Sequence, residues 1–188
     1  MRLIYAVSLV LSSFEVRHAA AGEPAEIEGR WLQRCLLGQP HGGVQNDVSI
    51  KDDSLEFTRR HAEDPRCRLP SFDFVWSATF TVRGEAPGLS GAKNIDFTLK
   101  TITVIPRQAA TARDFNASRF CGKDGWAVNQ PQEVTGGKCG GNQLGRKGYQ
   151  AYNIFKVDGD LLYLHFEASV GRESDRPTKL SPEFYRRQ

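Results

Sequence analysis

Apolar and polar residues alternate along the middle of the chain with a period of two. In "SFDFVWSATFTV", Phe72, Phe74, Trp76, Ala78, Phe80 and Val82 share one parity. Asp73, Ser77, Thr79 and Thr81 occupy the other, with Val75 the exception. That period predicts a long strand with one apolar face and one wet face. "RGEAPGLSG" then breaks the pattern with Gly and Pro, as a loop does. A second long strand is expected in "KNIDFTLKTITVI", where the apolar parity changes: Ile95, Phe97 and Leu99 fall on one, Ile102 and Val104 on the other. A switch of face near Lys100 predicts a bulge or sharp bend, a device that lets a sheet curl into a barrel. Upstream, "VQNDVSI" and "SLEFTRRHA" flank "KDD", which reads as a hairpin. Downstream, "YNIFKV" and "LLYLHFE" flank "DGD", a second hairpin signal.

One helix is expected in "PRQAATARDFNASRF", with Pro106 near its first position. Its apolar side, Ala109, Ala112 and Phe115, is thin, which places it against the outside or the mouth of a sheet. The tail "DRPTKLSPEFYRRQ" holds two prolines and reads as an extended strap. There are no internal repeats and no low-complexity tract. Many strands, one helix and one domain point to an all-β sandwich or closed antiparallel barrel. Closure also removes the exposed edges that long amphipathic strands would otherwise present.

The N-terminal "MRLIYAVSLVLSSFEVRHAAAGEPAEIEG" changes the picture. Arg2, the apolar run Leu3 to Leu11 and the small residues of "HAAAG" outline a secretory signal peptide over residues 1–21. The run is too short for a membrane span, which needs about 20 apolar residues. Residues 22–188 are then expected to form a single domain, secreted or periplasmic, with no integral membrane segment in the mature chain. The whole chain carries a net charge of +3, and losing Arg2, Glu15 and Arg17 lowers it by one. Such a balance does not point to nucleic acid, and the pairs Arg59-Arg60 and Arg66/Arg68 do not cluster over a face.

Export also bears on the four cysteines, Cys35, Cys67, Cys121 and Cys139, which are expected to be oxidised in pairs. Three connectivities are open, and sequential pairing would staple two local excursions at roughly 3–4 kcal/mol each. Cys67, in "HAEDPRCRLPSF", lacks the base a nucleophile needs, so it reads as a disulfide cysteine. No C-x-x-C is present, and His41, His61 and His165 lack zinc-type spacing. No metal, cofactor or catalytic residue is implied. Asn116-Ala117-Ser118 is a glycosylation sequon on the expected helix, and Asp158 and Asp160 are turn residues before they are calcium ligands. His165, in an apolar strand, reads as a hydrogen-bonded barrel histidine. Tyr152 and Tyr163 could each place a hydroxyl inside a barrel, and Trp126 could support the second cysteine pair or line a mouth.

The interior of a small barrel is either filled or left open for one ligand. The aromatic stripe of the first long strand is the natural inner wall under both alternatives. Gly29-Arg30-Trp31 in "EIEGRWLQRC" has the Gly-x-Trp form of the first strand of lipocalins. Further motifs follow in order: "GRWLQRC", "EDPRCRLPSF", "VRG", "TVIPRQAATARDFN", "CGKDGWAVNQPQEVT", "GGKCGG", "YNIFKVDGDLLYL" and "SDRPTKLSPEFYRR". With all four cysteines in place, the chain resembles the adenomatosis polyposis coli down-regulated family of Wnt antagonists, nearly end to end across the mature region. Animal members carry two such domains in tandem and a C-terminal anchor, whereas one domain without an anchor is expected here.

The resemblance implies a lipocalin-like β-barrel with disulfides Cys35–Cys67 and Cys121–Cys139, and an apolar cavity suited to a lipid or acyl chain. The expectation is therefore a non-enzymatic, exported binding protein. Phe72, Phe74, Trp76 and Phe80, with Phe97 and Leu99 from the next strand, would form the wall of its ligand site. The alternative is a filled barrel that binds a secreted protein partner through the loops "LGQPHGGVQN" and "GGKCGGNQLGRKG". An enzyme acting inside the barrel would need an inward ionisable residue, for which His165 is the candidate.

Overall fold

A computed structural model of the chain describes residues 26–37, 42–166 and 169–188. The expected signal peptide lies outside the described residues. The elements run β1 (Gly29–Leu32), β2 (Leu36–Leu37), β3 (Gly43–Lys51), β4 (Ser54–Ala62), β5 (Pro70–Glu85), β6 (Lys93–Pro106), α1 (Ala109–Ser118) and β7 (Gln132–Glu133). Then follow β8 (Lys138–Cys139), β9 (Asn142–Gln143), β10 (Gln150–Asp158), β11 (Leu161–Leu164) and β12 (Tyr185–Arg187).

Every pairing in the main sheet is antiparallel, and eight strands close on themselves in the order β1-β3-β4-β5-β6-β10-β11-β12 and back to β1. β2 and β7 extend this barrel beside β3 and β6, and β8–β9 forms a separate small hairpin. Both expected hairpin turns are present, at Asp52-Asp53 and at Gly159-Asp160, where Gly159 takes φ 58°. The tail corrects the expectation of a strap: Tyr185–Arg187 is the closing strand, paired with β1 on one side and β11 on the other.

The bulge falls where the parity switch places it. Ala78 faces Leu99 and Ser77 faces Thr101, so Lys100 is the unpaired residue. Leu99 and Ile102 can therefore both point inward beside Ala78 and Trp76. The main core gathers at one end of the barrel around Trp31, Phe57, Phe97 and Phe155, all at most 2 % exposed. Trp31 donates Nε1–H to the Ile27 carbonyl at 2.8 Å, and the Arg187 guanidinium lies 4.1 Å from its ring centre.

A second cluster lies at the other end, under α1. Thr111, Ala112 and Phe115 are the buried residues of this helix, whereas Ala109 is exposed. The helix starts after Gln108 rather than at Pro106, because Pro106 still pairs with Phe72 as the last residue of β6. Phe115 packs on Phe72, Phe120 and Trp126 at 5.3, 4.1 and 5.3 Å between ring centres.

Both disulfides are formed in sequential pairing, Cys35–Cys67 and Cys121–Cys139. Cys67 takes φ 55°, and Asp64 ties its loop by accepting backbone N–H bonds from Arg66, Arg68 and Leu69. Position 43 must be glycine here, since a Cβ would lie 2.6 Å from the Cys67 sulfur and 2.8 Å from that of Cys35. No helix among the described residues is long and apolar enough to cross a membrane.

Candidate functional site

A cavity of about 530 Å³ opens in the barrel between β5, β6 and β10. Its apolar wall is built by cross-strand pairing. Trp76 and Ala78 from β5 stand opposite Ile102 and Leu99 from β6, and Phe97 stands opposite Ala151 from β10. Phe166, following β11, completes this wall, stacked on Phe57 at 4.6 Å and edge-on to Phe97 at 5.2 Å. The polar lining is Asn142, Tyr149 and Ser169, with Gly145 between the first two. Asn142 and Tyr149 are exposed and mark the mouth.

The expected wall residues divide. Trp76, Phe97 and Leu99 line the cavity together. Phe72 and Phe74 sit farther along the same face of β5, in the aromatic cluster beneath α1. Phe80 is buried at the opposite end of that face, in the main core. One parity stripe thus serves three purposes, because its strand is longer than the cavity.

Ionisable candidates lie outside the cavity. His165 corrects the reading of a barrel histidine: β11 ends at Leu164, and His165 is exposed. Tyr152 lies under the Arg176 guanidinium at 5.2 Å and Tyr163 packs beside Phe184 at 6.0 Å. Tyr149 supplies the phenol at the mouth, a residue without a periodic signal because it precedes β10. Ser169 donates its hydroxyl to the Phe166 carbonyl at 2.6 Å and accepts from Asn153 Nδ2 at 2.9 Å. Trp126 is buried against Phe115 and Phe120, in the same apolar cluster as Cys121 and Cys139, and does not line the cavity. Asn116 is committed to the same region: its side-chain amide donates to the Trp126 carbonyl at 2.9 Å and accepts the Trp126 N–H at 2.8 Å.

The loop "GGKCGGNQLGRKG" forms the rim of this cavity. Leu99 exchanges two backbone bonds with it, donating to the Tyr149 carbonyl at 3.0 Å and accepting the Gly148 N–H at 2.8 Å. A Cβ at Gly145 would lie 2.8 Å from Leu99 Cδ2, so any side chain there projects onto the cavity wall.

His61 marks the end of the barrel under α1, stacked on Phe72 with ring centres 4.4 Å apart. Burial pushes its imidazole down to about 4 from the usual 6.5; the Arg59 guanidinium adds to the effect and the Asp73 carboxylate opposes it. Between those two pH values the unfolded chain holds more protons than the native one. Stability therefore falls as pH drops from about 6.5 to about 4 and levels off below, with no contribution above 6.5. Urea midpoints of the wild type and of His61→Phe are expected to diverge across that window. Parallel pH profiles would show that His61 does not titrate this way.

No protein-family profile matches this chain.

Proposed function

We propose that this protein is an exported, non-enzymatic binding protein that holds the hydrocarbon chain of a lipid or acylated ligand inside its barrel. The observation carrying this reading is the cavity: about 530 Å³, walled by Trp76, Phe97, Leu99 and Ile102, with Asn142, Tyr149 and Ser169 as its polar lining. That volume falls in the range of small-molecule sites, about 300–1,000 Å³, which are apolar with a few polar groups fixing orientation. Each methylene taken from water into such a wall contributes about 0.8 kcal/mol before the costs of association. Two disulfides support an oxidising compartment. The motif resemblance to the Wnt-antagonist domains points to the same ligand class.

Native mass spectrometry of the oxidised protein, followed by solvent extraction, tests this directly. A co-purifying acyl compound near one per barrel is expected, as is thermal stabilisation by dodecanoate. Trp76→Glu, which puts a charge into the apolar wall, is expected to abolish that stabilisation while the fold persists. Gly145→Leu, which occupies the cavity from the rim, guards against a Trp76→Glu variant that fails to fold. An empty spectrum with no thermal shift in the wild type would sink the proposal.

A further inference from the structure

The rim of the cavity has an electrostatic character that its wall does not. Residues 134–155 contain Lys138, Arg146 and Lys147 and no aspartate or glutamate. All three cations are exposed, and none makes an ion pair with a described residue. Many cations elsewhere on the barrel are matched: Arg30 with Asp47, Arg83 with Asp96, Arg107 with Asp73 and Arg119 with Asp124. The nearest acid in sequence is Glu133 on β7, ahead of this stretch.

Position matters as much as charge. Tyr149 N–H bonds the Arg146 carbonyl at 3.0 Å, closing a turn that contains Arg146 and Lys147. The two backbone bonds between Leu99 and Gly148/Tyr149 hold this turn directly on the cavity wall. A shallower surface depression runs along residues 143–149 and shares Gly145 and Tyr149 with the cavity. A chain lying against Leu99 would therefore end, at the Tyr149 mouth, beside the turn that carries Arg146 and Lys147, neither of which pairs with a described acid. Among the described residues that line the cavity there is no aspartate, glutamate, lysine, arginine or histidine.

We infer that the ligand is a single-chain amphiphile with an anionic head, a carboxylate or a phosphate monoester, held in water at the Arg146–Lys147 turn while its hydrocarbon occupies the cavity. This rests on the binding role proposed above. A charged head cannot follow its chain into an apolar wall without a large desolvation cost. Outside, it gains the attraction of unmatched cations, modest per pair and weakened by salt.

The test compares twelve-carbon ligands sharing one chain: dodecanoate, dodecyl phosphate, dodecanol and dodecyltrimethylammonium, titrated at low and high salt. Dodecanoate or dodecyl phosphate is expected to bind about tenfold more tightly than dodecanol, and the ammonium more weakly than dodecanol. The preference is expected to shrink as salt rises. The exposed substitutions Arg146→Gln and Lys147→Gln together should bring the anions down to the alcohol's affinity and leave the alcohol unchanged. Tighter binding of the phosphate than of the carboxylate would assign the head as phosphate; the reverse order would assign it as carboxylate. Equal affinities for anion and alcohol, with Trp76→Glu abolishing both, would overturn the anionic head and leave the cavity role standing. Binding of none of the four would overturn both.

Discussion

Replacing Trp31 with alanine is expected to cost about 4 kcal/mol, the largest loss of any single truncation in the main core. The side chain is fully buried, and three separate contributions go with it. Its ring fills the end of the barrel among Ile27, Val48 and Leu162. Its Nε1–H bond to the Ile27 carbonyl disappears, leaving a buried acceptor without that donor. Arg187 loses the ring over which its guanidinium lies, and Arg187 belongs to β12. This last contribution makes the effect larger than the lost area alone. β12 is three residues long, and β1, which carries Trp31, is the strand it pairs with to close the barrel. Trp31→Ala therefore loosens the seam as well as emptying the core. Equilibrium urea unfolding of the wild type, Trp31→Ala and Trp31→Phe measures it. The phenylalanine variant keeps most of the apolar area but no N–H donor, so it is expected to lose about 1–2 kcal/mol. A loss below about 1 kcal/mol for Trp31→Ala would show that the seam does not depend on this ring.

What was legible in the sequence follows from how local each cause is. Strands β3 to β6, most of β10 and all of β11 announce themselves because a barrel wall with one dry face imposes a period of two on each strand. The Lys100 bulge was legible for the same reason, since one extra residue flips the parity that Leu99 and Ile102 would otherwise share. β12 was not legible: "FYRRQ" follows two prolines and has no alternation long enough to read. It becomes a strand because β1 and β11 present unpaired edges to it. Half of the expected wall residues reach the cavity for a related reason. Parity tells which face Phe72, Phe74, Trp76 and Phe80 share, but not where along a strand of 16 residues the interior is left empty. That depends on the residues that fill each end: Phe115 and Phe120 over Phe72 and Phe74, and the main core around Phe80. Tyr149 and Gly145 come from loop segments and Asn142 from a two-residue strand, all too short or irregular to carry a period, and only the folded chain shows that they line the cavity.

Asp73 is the clearest case of a residue whose parity misleads, and Asp73→Ala is expected to cost about 3 kcal/mol. It lies on the face of β5 that alternation assigns to water, yet it is wholly buried. Arg60, its cross-strand neighbour on β4, donates Nε–H at 3.1 Å and Nη2–H at 3.4 Å. Arg107, just beyond β6, donates Nε–H at 2.9 Å and Nη2–H at 2.7 Å, both to Oδ2, the oxygen that Arg60 Nη2 also reaches. Arg107 also donates to Asn129 Oδ1 at 3.0 Å, so one carboxylate ties β4, β5, the end of β6 and the loop after α1. Removing it leaves two guanidinium groups facing each other without their counter-charge. The cost lies at the low end of the range for breaking a buried pair, about 3–5 kcal/mol, because both arginine side chains are about one-third exposed and can turn to water. Asp73→Asn separates shape from charge. Its amide keeps the volume but turns N–H donors toward guanidinium donors, so it is expected to recover less than half of the loss. A double-mutant cycle with Arg107→Ala should give the larger coupling and one with Arg60→Ala the smaller, following the shorter bonds to Arg107. Strict additivity in both cycles would mean that the carboxylate is held by its position in β5 alone. The two arginines would then be covering it rather than binding it.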